Sequence, residues 1–163
     1  MLVSIGKIVS IFLVFLFVLG CAVGPVEMDL VNYINQDIMS VAAVEQAALD
    51  RYTAVSGMNY ESDEKLYETL NTEVVPTYHE FVNALALIQP ETKPLKRLHA
   101  SYIDASVLRL RGFETITNGI RLQDPHLITA ANQMFAQSKA AMDDWRQALQ
   151  ELYAAHGIIP QGP

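Results

Sequence analysis

Apolar residues recur along this chain at spacings of three and four, the period of a helix that buries one face. Four such stripes follow one another. The first, within 26–55, runs Val31, Ile34, Ile38, Val41, Ala48, Tyr52 and Val55. Ser56-Gly57 stops it, and Ser62 is placed to cap the next helix, with Asp63 and Glu64 in the first turn where acids suit the helix dipole. The second stripe is Leu66, Leu70, Val74, Tyr78, Phe81, Leu85 and Ile88, and Pro76 inside it predicts a kink. Pro90 and Thr92 mark the next boundary, with Pro94 near a helix start. The third stripe is Leu95, Leu98, Tyr102, Ala105, Phe113, Ile116 and Ile120. Asp124-Pro125, a cap residue followed by proline in the first helical position, opens the fourth helix. Its stripe is Leu127, Ala131, Phe135, Ser138, Met142, Trp145, Leu149 and Leu152, and Gly157 and Pro160 end it.

Each predicted helix has about 30 residues, or about 45 Å at 1.5 Å per residue. The links between them are short, which makes successive helices antiparallel neighbours. The expected fold is therefore all-α, an antiparallel up-down-up-down four-helix bundle over 26–157 with a loosely held tail at 158–163. No strand-like alternation, internal repeat or low-complexity tract suggests a second domain.

The chain before the bundle has a different character. After Lys7, Ile8 to Leu19 run apolar without a charge, short for a membrane span and suited to a signal-peptide core. The run ends in Val18-Leu19-Gly20-Cys21, which resembles the lipobox of bacterial lipoproteins. That resemblance implies a signal peptide at 1–20, cleavage after Gly20, and lipidation of Cys21, with 21–25 as a short linker. An uncleaved N-terminal membrane anchor is the competing reading. Both place the domain outside the cytoplasm and on a membrane. Two or three acyl chains on Cys21 would hold it firmly. In a Gram-negative source, Ala22 rather than Asp resembles the outer-membrane pattern; in a Gram-positive one the protein would sit at the cell surface.

Charge sharpens this picture. The full chain carries 11 cations and 18 acids, a net charge of −7. Cleavage before Cys21 would remove Lys7 and no acid. So acidic a surface argues against a nucleic-acid partner. If helix one starts beside Cys21, alternation puts the turn between helices two and three, and the end of helix four, at the membrane as well. Lys93, Lys96 and Arg97 cluster there and are candidates for membrane-surface contact, while Glu61, Asp63, Glu64 and Glu68 lie at the distal end. The plainer reading of both groups is an ordinary solvated helix face.

Candidate chemistry is sparse. One cysteine excludes a disulfide framework, an all-cysteine zinc site and a C-x-x-C-H haem attachment. No H-E-x-x-H is present, and no Glu stands three residues before any of His79, His99, His126 or His156, so the pattern of di-iron bundles is absent. His126 is expected in solvent, and His79 and His99 at the edges of their stripes. Met28 and His156 fall near one end of the bundle, an arrangement that resembles the axial ligands of b-type cytochrome bundles. Neither a G-x-S-x-G elbow nor a phosphate-cradling glycine loop appears, so an enzyme reading has no support and no cofactor or metal is implied.

Two charged residues interrupt the stripes. Glu45 lies between Val41 and Ala48, and Arg109 between Ala105 and Phe113, at similar heights. Buried ions need partners, because desolvation costs several kcal/mol each. An internal Glu45–Arg109 pair is therefore expected, with Ser138 as a further neighbour. Gly112 and Gly119 in helix three allow either close helix approach or a local opening. The resulting expectation is a non-catalytic interaction or structural module of the cell envelope, with an envelope protein as a candidate partner. The alternative is a small-ligand or metal-binding carrier or sensor with its site inside the bundle.

Overall fold

Four helical rods account for nearly all of residues 24–158, which a computed structural model describes. Residues 1–23, which include the expected signal peptide at 1–20 and Cys21, and the tail beyond Ile158 lie outside the described residues. The fold is all-α, with no strand among the described residues. Helix one comprises α1 (Pro25–Asn32), a π-helical stretch (Tyr33–Ile38) and α2 (Met39–Val55). Helix two comprises α3 (Asp63–Thr69), a second π-helical stretch (Leu70–Val74) and α4 (Val75–Ala86). Helices three and four are single α-helices, α5 (Lys93–Leu122) and α6 (Pro125–Ala155). No described helix is long and apolar enough to cross a membrane.

The caps follow the sequence chemistry. Ser62 Oγ accepts from the Lys65 backbone N–H at 3.2 Å, and Asp124 accepts from that of His126 at 2.8 Å. Gly57 and Gly157 adopt left-handed conformations (φ 59° and 63°) just past helices one and four. Gln123 does the same after helix three (φ 52°), and the Asp124 N–H closes back on the Gly119 carbonyl.

The break at Pro76 takes the form of a π-helical turn immediately before it. Proline has no N–H, and its ring crowds the carbonyl four residues earlier, that of Thr72. A π turn widens the backbone and bonds five residues back instead. The stripe spacing records this, since Leu66, Leu70, Val74 and Tyr78 step by four throughout and all are buried.

The other π-helical stretch corrects the expected stripe of helix one. Val31 is 42% exposed, whereas Leu30 and Tyr33 are fully buried. Ile34 and Ile38 are only partly buried. The π turn takes one residue more than an α turn, so counting back from Val41 at the α period lands one position too late. The stripes of helices two, three and four fall on buried or half-buried positions throughout.

Helices three and four share a close seam. A Cβ at Gly112 would lie 2.6 Å from the Phe135 ring, and one at Gly119 would lie 3.0 Å from Ile128. Both glycines therefore serve close approach rather than local opening. Along the same seam Tyr102 stacks on Trp145 (4.5 Å between centroids), and Ser138 Oγ donates to the Ala105 carbonyl at 2.8 Å. Ile158, at the start of the expected tail, packs against the core.

Candidate functional site

Glu45 reaches into the core from α2 and is only 15% exposed. Three donors meet its carboxylate. Oε1 accepts from the Tyr78 hydroxyl of α4 at 3.1 Å and from Arg109 Nη1 of α5 at 3.2 Å, and Oε2 accepts from the Tyr102 hydroxyl of α5 at 2.8 Å. Helices one, two and three are thus joined through one side chain. Burial, reinforced by the neighbouring Glu45 charge, pushes both phenols well above the ordinary tyrosine range, so they stay protonated and remain donors. Ser138 is not part of this group; its hydroxyl is committed to Ala105 on the seam.

Tyr78 and Tyr102 occupy stripe positions and read as apolar in a periodicity count. The usable signal was their hydroxyls, since a buried tyrosine hydroxyl needs an acceptor. Glu45 is that acceptor.

A second polar group lies nearer the start of the bundle. His99 is buried, not at the edge of its stripe as expected. Its Nε2 faces the Leu85 carbonyl at 3.1 Å and its Nδ1 faces the Tyr33 hydroxyl at 3.1 Å. A carbonyl only accepts, so Nε2 carries the proton and Nδ1 accepts from Tyr33. Burial pushes the His99 pKa down, against a partial pull upward from Leu85 and Asp37. The Trp145 indole N–H is turned toward Tyr33 but has no partner in hydrogen-bond geometry.

Asp29, which the stripe analysis passed over, is buried in α1 and ties helix one to the start of helix three. It accepts from the backbone N–H groups of Glu91 and Thr92 (3.1 and 2.7 Å) and from the Thr92 hydroxyl (2.5 Å). Burial pushes its carboxyl up, but these hydrogen bonds outweigh it and leave the pKa below the usual aspartate range. At the same end His156 Nδ1 meets Glu27 at 3.1 Å, which holds the Glu27 pKa down. Met28 beside it is 57% exposed. The Met28–His156 pair therefore does not form an axial ligand set, because one side chain points to solvent and the other is bound to a carboxylate.

The remaining candidates are surface groups. Lys93, Lys96 and Arg97 are exposed on the first turns of α5. His79 lies at the surface against Glu114 at 2.9 Å, and His126 is exposed. Glu61 pairs with Lys65, while Asp63, Glu64 and Tyr67 line a shallow distal hollow with Arg121. Among the described residues no group of three His, Cys, Asp or Glu is placed to hold a metal ion. No protein-family model matches the chain, and neither a curated protein nor a solved structure is similar to it.

Proposed function

We propose that this chain is a lipid-anchored protein of the cell envelope, held through Cys21, and that it acts there as a non-catalytic interaction or structural module. The single observation that carries the non-catalytic reading is the state of Glu45. Its carboxylate is met on both oxygens by tyrosine and arginine donors of the chain itself. An interior polar group so satisfied fixes how helices sit against one another, and leaves the work of recognition to the outer surface. The anchor reading rests on the apolar run and Leu19-Gly20-Cys21.

The proposal includes the finer architecture, an antiparallel up-down-up-down bundle. The seam pairs support it. Tyr102 meets Trp145, Ala105 meets Ser138, Gly112 meets Phe135 and Gly119 meets Ile128, so partner numbers fall along α6 as they rise along α5. Helices one and three run parallel, since partner numbers rise together: Asp29 on Thr92, Tyr33 on His99 and Glu45 on Arg109. In this arrangement the start of helix one, the start of helix three and the end of helix four share the end nearest Cys21.

The test is the intact mass of the protein extracted from its own membranes, with an absorption spectrum of the same sample. A mass equal to the chain from Cys21 plus its acyl groups, without a chromophore, is expected. An uncleaved chain would overturn the lipid anchor. A reproducible extra mass that survives extraction would replace the module reading by a carrier.

A further inference from the structure

We infer that the end of the bundle bearing Met28, Val31, Leu87, Lys93, Lys96 and Arg97 seats in the interfacial layer of an anionic phospholipid membrane. The inference rests on the anchored reading above and adds a docked surface to it. Asp29 holds the first turns of helix one against Glu91 and Thr92, so these six residues share one end. Leu87 is 80% exposed, Met28 57% and Val31 42%. Apolar exposure alone does not choose between the two ends, because Met58, Tyr60 and Leu122 are exposed at the other.

Two further observations do choose. The first is charge. The three cations are all exposed, and two of the acids at this end are committed: Asp29 is buried under three donors, and Glu27 is bound to His156, which leaves Glu91 and, in the last turns of helix four, Glu151. At the opposite end the exposed apolar residues lie among Glu61, Asp63, Glu64 and Glu68; Lys65 is bound to Glu61 and Arg121 lies beside Asp63 and Glu64, so the group stays acidic on balance and an anionic surface repels it. The second is reach. Two residues, Ala22 and Val23, separate Cys21 from Gly24, and the three residue steps between them span at most about 11 Å fully extended. A lipid on Cys21 therefore keeps the start of helix one within about 11 Å of the lipidated residue, close to the membrane surface. Side chains with apolar tips and long cationic stems are suited to the interfacial layer.

The test uses the full chain reconstituted into phosphatidylglycerol–phosphatidylethanolamine vesicles whose acyl chains carry bromine, a contact quencher of tryptophan. Leu87→Trp and, as a second reporter, Met28→Trp are compared with Met58→Trp at the distal end. The unsubstituted chain supplies the background from Trp145. Seating of the inferred end would cost the reporters at 87 and 28 roughly half or more of their emission and leave the reporter at 58 unquenched. Reversal of Lys96 and Arg97 to Glu should then reduce quenching on these vesicles by roughly half or more. No quenching at 87 and 28, or equal quenching at 58, would overturn the inference. Intact mass measured on the same samples separates it from the anchor. An acylated chain without quenching removes the docked surface and leaves the anchor; a chain without acyl groups but quenched at 87 does the reverse.

Discussion

Helices one and two are held differently from helices three and four. Each of the first pair is interrupted by a π-helical stretch, and helix one turns inward the Glu45 carboxylate that Tyr78 of helix two meets. The second pair are uninterrupted over 30 and 31 residues and meet along a seam of glycine, small residues and aromatic rings. In the first pair the backbone departs from the α period and hydrogen bonds between helices restore a defined register. In the second, regular periodicity lets side-chain shape do most of that, with the Ser138 hydroxyl on the Ala105 carbonyl as a buried polar tie. The polar contacts also reach across the division, since Arg109, Tyr102 and His99 all belong to helix three. Helix three is therefore the element both halves are built against.

The largest expected effect is on the polar side. Glu45→Ala would leave two tyrosine hydroxyls and the Arg109 guanidinium without their acceptor, at 15% and 17% exposure for the two charged side chains. A loss of about 3 kcal/mol is expected, read as a lower urea midpoint at unchanged slope. Glu45→Gln keeps one carbonyl oxygen and should lose less. An unchanged midpoint for Glu45→Ala would show that the first helix pair does not depend on this junction.

The seam predicts a smaller loss. Gly112→Ala places a methyl group 2.6 Å from the Phe135 ring, which is itself packed against Phe113 and Tyr52. Overpacking costs about 1–3 kcal/mol and alanine recovers about 1 kcal/mol in helix propensity, so a net loss of about 1 kcal/mol is expected in thermal unfolding. A gain in Tm would mean that helices three and four are not in close contact there.

The smallest effect is a pH dependence at the contact between the halves. The folded chain holds the His99 pKa below its ordinary value, so the unfolded chain takes up a proton that the folded chain refuses. The stability that comes from neutral His99 is complete above about pH 6.5 and is lost as pH falls toward the folded-state value. Tm should drop by a few degrees between pH 7.5 and 5.5, and His99→Gln should flatten that drop. Asp29, whose pKa is also lowered, acts in a separate window, since its contribution fades only below the ordinary aspartate range. A slope unchanged in His99→Gln would place the titrating group elsewhere.

Much of this was legible along the chain because it is local. Ser62, Asp124 and Gly157 act within a few residues of themselves, so their sequence neighbours suffice to place them. Glu45 and Arg109 could be singled out because a charge on an apolar stripe is conspicuous at a known height. Their tyrosine partners could not, because a periodicity count scores tyrosine by its ring and ignores its hydroxyl. His99 sits beside Leu98 at the edge of its stripe on paper, yet its partners come from 14 and 66 residues away. Asp29 reads as an ordinary acid in an opening turn, and its acceptor role is set by backbone groups 62 and 63 residues later.

By itself, then, the sequence determined the all-helical class, the four rods, their ends and most of the buried positions. Caps, proline and apolar period act over one or two turns, and each is complete within its own segment. Only the tertiary structure decided the register of the first turns of helix one, the use of Gly112 and Gly119, and which donors surround Glu45. A π turn shifts every position before it by one residue, and that shift is settled by what the buried side chains meet across the interface. The same holds for the polar interior, because a hydrogen bond between distant helices depends on heights and rotations that no single helix contains.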